Sequence, residues 1–264
     1  MRSFPQRIVC LTEESVEFLY ALGEEEKIVG VSAYAKRPVE VSSKPIVTAF
    51  VNGSVKKIKD LKPDLVIGYS DIQKDLAREL IGEGLNVYIS NHRSIEEILD
   101  YLLFLGRLVG REAKASELIA KVEAKILEAK KFGDSLSYRP KVYIEEWDEP
   151  IISGIQWFCE IVQLCGADIV FMDKSTMKLA KDRIVNIDDF KDQEIDIIFG
   201  CWCGKPVDIH SILKRPYLAH TEAIRRKQIY ELEPEIFLQP GIAPISTGID
   251  IIIDYLRNYQ KLGG

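Results

Sequence analysis

Cys201-Trp202-Cys203 is the most reactive-looking stretch of the sequence. In extended backbone residues i and i+2 face the same way, which would set two thiols side by side as soft ligands for a metal. A structural zinc site usually takes four ligands, and Cys159 and Cys165, six apart on one predicted helix, point in different directions. Buried, inert thiols are the favoured reading, and no metal ligand is assigned. His92, just past the predicted strand NVYIS, would be the nitrogen donor of such a site and is otherwise a plain loop residue. The acidic run Glu145, Glu146, Asp148 and Glu149 could pair carboxylates for general acid and base work. No nucleophile, GxSxG turn, phosphate loop or HExxH helix accompanies it, so no catalytic residue is assigned and an enzyme is not expected. These carboxylates either accept hydrogen bonds from a ligand's amide edge or face water. Lys36, Arg37 and Arg93 are too scattered to form the basic floor that an anionic siderophore would require.

Aromatic residues are placed more suggestively. In open parallel sheets ligands bind outside the carboxyl ends of the strands. Tyr34 follows IVGVSA, Phe50 follows KPIVTA, Tyr69 follows DLVIG, Trp147 follows KVYIEE and Trp202 follows DIIFGC, while Trp157 starts the helix after IISG. Any one of them could tuck into a core. Together they suit a broad, flat, partly apolar ligand, each contact adding about 0.5 to 1.5 kcal/mol beyond its area burial.

The elements that must position these rings alternate short apolar runs with stretches of helical period, first from RIVCL to NVYIS and again from KVYIEEW to QIYEL. This is βαβ order, and it predicts α/β architecture: two Rossmann-like lobes with parallel sheets. The second half repeats the first. A shift of 132 positions carries Lys59 onto Lys191, Asp60 onto Asp192, Asp64 onto Asp196 and Gly68 onto Gly200. Gly106 and Gly110 are expected to break the long helical stretch between the halves, leaving one long backbone helix as the connection. The expected division is residues 1–110, an N-terminal α/β lobe; 111–133, the connecting helix; and 134–264, a C-terminal α/β lobe. Ala115, Leu118, Ile119, Val122, Ile126 and Ala129 form the apolar stripe of the connecting helix.

With 264 residues and 47% hydrophobic content, the chain is long enough for two cores. Its net charge of −6 is spread without long blocks, which argues against nucleic acid or an anionic membrane as a partner. No run is long and apolar enough to span a bilayer. Five cysteines in no small-domain pattern do not form a disulfide framework. Only MRSFPQ precedes the first predicted strand, so the sequence as it stands reads as cytoplasmic; a periplasmic or cell-surface location is the alternative if a signal peptide has been removed.

The segments RIVCLTEESVEFLYALG, LKPDLVIGY, SIEEILDYLLFLGRLVGREAKASELI and ISGIQWFCEIVQLCGADIVF resemble the helical-backbone (class III) substrate-binding proteins of ABC importers. Within that cobalamin- and iron-chelate-binding branch, EEWDEP followed by SGIQWF is most similar to the cobalamin-binding proteins. The resemblance implies a cleft between two lobes joined by one helix, with little hinge motion. It implies non-catalytic binding of cobalamin, another corrinoid or a related metal chelate, with no cofactor required. An iron-siderophore or haem receptor is one alternative, and a cytoplasmic corrinoid-handling factor or enzyme using Cys201 and Cys203 is another. By the resemblance Tyr34, Phe50 and Tyr69 line the first-lobe wall, while Ser153, Gly154 and Trp157 approach from the second; Trp147 and Trp202 join them by strand-end position. Glu14 occupies the first βα turn, where TEES departs from the family's small residues. The family presents an acid on each lobe to permease arginines. The matching positions here are Lys56 and Asp188, one reversed and one kept, and a lysine facing an arginine disfavours docking.

Overall fold

The computed structural model describes residues 4–49 and 52–263. The expected Phe50 contact lies outside the described residues.

The first sheet has six strands: β1 (Ile8–Cys10), β2 (Ile28–Ser32), β3 (Ile46–Ala49), β4 (Asn52–Gly53), β5 (Leu65–Tyr69) and β6 (Val87–Ser90). Their order is β4-β3-β2-β1-β5-β6, parallel except for the short antiparallel β4. The second has β7 (Lys141–Asp148), β8 (Ile151–Ser153), β9 (Asp168–Ile169), β10 (Ile197–Gly200) and β11 (Ile229–Glu231). Here β11-β10-β7 run parallel, β9 pairs with the start of β7, and β8 folds back antiparallel on its end. The repetition seen in the sequence is therefore topological: β2-β1-β5-β6 and β9-β7-β10-β11 are the same all-parallel order. Every residue of β5 and of β10 is buried, as expected for strands covered on both faces.

The repeated residues explain themselves locally. The Asp64 carboxylate accepts from the backbone N–H of Arg7 at 3.0 Å, and the Asp64 N–H donates to the Arg7 carbonyl at 2.9 Å. Asp196 does the same with Lys141, both bonds at 2.8 Å. Each aspartate thus fixes the register between two neighbouring strands before they enter the core. A Cβ on Gly68 would lie 2.4 Å from Gln73 Oε1, and one on Gly200 2.6 Å from Val207 Cγ1, so both strands are glycine where another side chain crosses them.

The main helices are α1 (Glu13–Ala21), α2 (Val55–Asp60), α3 (Lys74–Gly82), α4 (Ile95–Leu108), α5 (Glu112–Ser135) and α6 (Gln156–Leu164), with a C-terminal helix at Ile249–Lys261. Gly110, at φ +77°, separates α4 from α5. Gly106 does not break a helix: it lies inside α4, where a Cβ would fall 2.2 Å from Ala115 Cβ, and its role is close helix packing. On α5, Ala115, Val122 and Ala129 are buried and Leu118, Ile119 and Ile126 half-buried, so the stripe faces protein.

Two compact units result, and neither is contiguous. The first comprises the chain up to His92, Glu96–Val122 and Gln239–Ile242; the second comprises Arg93–Ile95, Glu123–Leu238 and Ala243–Gly264. In place of the boundaries at 110 and 133, α5 is shared between the units after Val122, and two short segments are exchanged. The exchanged residues are anchored by tertiary contacts, which sequence periodicity does not report.

Candidate functional site

In the first unit the carboxyl ends of β1, β5 and β6 carry a buried polar cluster. Tyr69 ends β5 with its ring edge-on to His92, centroids 5.1 Å apart, and its backbone N–H donates to Gln73 Oε1 at 3.0 Å. Ser70 follows at φ +60°, a left-handed conformation for a non-glycine residue, so the chain turns sharply just after the tyrosine. His92 is buried and stacked on Tyr101 at 4.2 Å. Its Nε2 lies 2.8 Å from the Pro240 carbonyl, which can only accept, so Nε2 carries a proton; in the neutral ring Nδ1 accepts from Ser90 Oγ at 2.7 Å. The expected loop histidine is thus a packed residue holding the returning segment 239–242.

Glu14 sits in the first turn of α1 and is fully buried. Thr12 Oγ1 donates to its Oε1 at 2.6 Å, while its Oε2 has no hydrogen-bond partner. Burial pushes this carboxyl up to about 8, against the hydrogen bond from Thr12. Gly241 packs directly on it, since a Cβ there would lie 2.7 Å from Glu14 Cβ. Glu14 therefore faces the segment 239–242 and has no open face. Of the two described aromatic candidates of the first unit, Tyr34 is 44% exposed and Tyr69 6% exposed.

The second unit places charged pairs and indoles at the ends of β7 and β10. Arg215 grips Glu145 with both terminal nitrogens, at 2.5 and 3.0 Å, and Tyr143 OH donates to the same carboxylate at 3.1 Å. Burial raises Glu145 above the ordinary carboxyl range while Arg215 opposes it. Glu146 pairs with Arg183 at 2.8 Å and accepts the Ile155 N–H at 2.5 Å; Arg183 also donates to the Ser153 carbonyl, and Ser153 Oγ donates to the Arg183 carbonyl at 3.1 Å. Two of the carboxylates considered for ligand contact thus hold the protein's own arginines. Gly154 is tightly enclosed, a Cβ there lying 2.8 Å from Cys159 Sγ.

The tryptophans divide. Trp157 is 1% exposed, its indole N–H donating to the Phe237 carbonyl at 2.8 Å, so it is packed inside the second unit. Trp202, 2% exposed, joins the core cluster of Tyr143, Phe190 and Ile198, and Trp147 is half-buried against that cluster. Lys205 Nζ lies over both rings, 4.2 Å from Trp147 and 4.8 Å from Trp202, and 2.6 Å from Asp148 Oδ1. Of the two thiols, Cys201 is buried and Cys203 exposed. Strand β10 ends at Gly200 and the chain turns at Gly204 (φ +85°), so strand alternation no longer applies beyond the strand. Among the described residues no group of three or more histidine, cysteine or acidic side chains could hold a metal, and no helix is long and apolar enough to cross a membrane.

Lys56, on α2, is exposed and pairs with Asp60 at 2.6 Å; Asp188 is exposed on the 3-10 turn Ile187–Phe190. A surface recess of about 630 Å³ lies instead near the start of β2, lined by Glu17, Tyr20, Glu25, Glu26, Glu40 and Lys44 among others, and contains none of the expected residues. Arg215, Arg183 and Lys205 were missed by sequence reasoning; each meets its partner across 37 to 70 positions with no local spacing to announce it.

An uncharacterized ABC transporter substrate-binding lipoprotein of Bacillus subtilis is 24% identical over 255 residues, 90% of this chain and 76% of that one. A vitamin B12-binding protein of Vibrio cholerae is 24% identical over 266 residues, 98% of this chain and 92% of that one. The apo periplasmic heme-binding protein of Roseiflexus sp. RS-1 superposes with a TM-score of 0.79 at 21% identity, covering 96% of this chain and 99% of that one, a likeness of fold. Residues 8–236 match the periplasmic binding protein family, and the chain belongs to that family.

Proposed function

We propose that this protein is the substrate-binding component of an ABC importer and that it binds a corrinoid such as cobalamin, or a related metal chelate, without transforming it. The observation that carries this reading is the near full-length match to a vitamin B12-binding protein, 98% of this chain. Half-buried Trp147 and exposed Tyr34, both at strand ends, supply flat surfaces of the kind such a ligand uses. The likeness to heme-binding folds favours a haem or iron-chelate receptor as the second reading. A reaction that needs Cys201 and Cys203 together is disfavoured, because Cys201 is buried and burial pushes its thiol well above the ordinary thiol range. The lipoprotein relative supports the periplasmic or cell-surface alternative over the cytoplasmic one. Lys56 makes the docking surface unlike one with an acid in each half, and a permease that accepts it would present an acidic group there.

The test is a spectrophotometric titration with cyanocobalamin, haemin and a ferric hydroxamate, followed by chromatography of the released compound. Saturable binding of cyanocobalamin, recovered unchanged, is expected. Binding of the ferric hydroxamate or haemin alone would select the second reading, and a chemically altered product would refute non-catalytic binding.

A further inference from the structure

The Trp147–Trp202 pair is already occupied by the protein itself. Lys205 Nζ stands over both indole rings and is tied to Asp148, whose side chain is 25% exposed; Lys205 is 39% exposed. Two aromatic faces and a carboxylate around one ammonium form a cation cage, with both distances inside the roughly 6 Å over which a ring attracts a cation. The cage is built from rigid parts. Trp147 is held by its indole N–H on the Glu149 carbonyl at 2.9 Å, and Trp202 is packed in the core cluster. Lys205 reaches them from an exposed turn beyond β10, next to Gly204 at φ +85°.

We propose that Lys205 is a specificity-determining residue, selecting chelates with a peripheral carboxylate over chelates with a neutral rim. The inference rests on the reading of this protein as a chelate binder. A flat neutral ligand gains the indole faces only by pushing the ammonium off both rings and away from Asp148. A ligand carboxylate draws the ammonium toward itself and recovers the charge interaction as the rings are uncovered. Lys205 thus opposes the first class and assists the second.

Lys205→Met keeps a flexible apolar stem and removes the charge. It is expected to tighten cyanocobalamin, whose rim carries neutral amides, and to weaken haemin, which carries two carboxylates, so that the ratio of the two dissociation constants moves by about tenfold or more. A ratio unchanged within about threefold or, where the wild type binds only one of the two, a dissociation constant for that chelate unchanged within about threefold, overturns the proposal and leaves the chelate reading intact. A wild-type protein that binds neither cyanocobalamin nor haemin overturns the proposal, and one that binds no ferric hydroxamate either overturns the chelate reading as well. Acrylamide quenching of tryptophan fluorescence in ligand-free Lys205→Ala reads the cage independently of any ligand. Greater quenching than in the wild type is expected, and identical quenching would overturn the claim that Lys205 covers the indoles.

Discussion

Glu14 in the first unit and Glu145 in the second are both fully buried, one just beyond β1 and the other in β7, the equivalent strand. They are handled in opposite ways. Glu145 is gripped by Arg215 and bonded by Tyr143, whereas Glu14 has a single hydroxyl donor and an oxygen with no partner. Around them the same topology, the same strand-fixing aspartates and the same glycines recur. A duplicated fold therefore preserves what its sheet requires and diverges where side chains converge beyond the strands. The second unit surrounds its buried carboxyl with an arginine and a tyrosine, while in the first, burial with one hydroxyl donor pushes the carboxyl up to about 8.

The largest effect expected from breaking this contrast is at Arg215. Arg215→Met leaves Glu145 buried without its cation and should lower unfolding stability by about 3 to 5 kcal/mol in urea denaturation, with most of the loss recovered in the Arg215→Met/Glu145→Gln double variant. A loss below about 1 kcal/mol would show that the pair is not what makes burial tolerable.

Next comes the pH dependence set by Glu14. Its carboxyl is raised in the folded state, from the ordinary 4.5 to about 8, so the folded protein binds a proton that the unfolded chain releases between those values. The stability gained is fully present below pH 4.5, falls as pH rises toward 8 and is lost above it, a change on the order of a few kcal/mol. Denaturation midpoints at pH 5, 7 and 9 should show that slope in the wild type and a flatter one in Glu14→Gln.

The shared glycines sharpen the comparison on a smaller scale. Gly68→Ala should cost about 2 to 3 kcal/mol, because the added methyl meets Gln73 Oε1, which is buried and accepts the Tyr69 N–H, and Gly200→Ala about 2 kcal/mol, because it meets the branched Val207 side chain. Thermal unfolding of the two variants side by side checks the order. Least of all, Lys56→Glu, on a solvated face, should leave the unfolding midpoint unmoved while altering any association with a permease.

Much of the frame was legible in the sequence. β5 and β10 read as strands because burial on both faces forces a continuous apolar run, and Asp64, Asp196, Gly68 and Gly200 stood out because each serves the same local need twice. The site was less legible. Whether one of these aromatic residues lies open, like Tyr34, or sealed, like Trp157 at the start of α6, depends on distant atoms such as the Phe237 carbonyl, 80 positions away. Cys203, expected to be buried like Cys201, is exposed on the turn after β10 ends at Gly200, and Gly106 misled because close packing and chain breaking select the same residue. Arg215 and Lys205 carry no local signature, since a charge partner 70 or 57 positions away leaves no periodicity.

The binding claim is tested most directly by isothermal calorimetry with cyanocobalamin on the intact protein. A saturable isotherm with one ligand per chain, and the compound recovered unaltered, is predicted. Absence of heat and of any spectral change at concentrations where a ferric hydroxamate binds would contradict it.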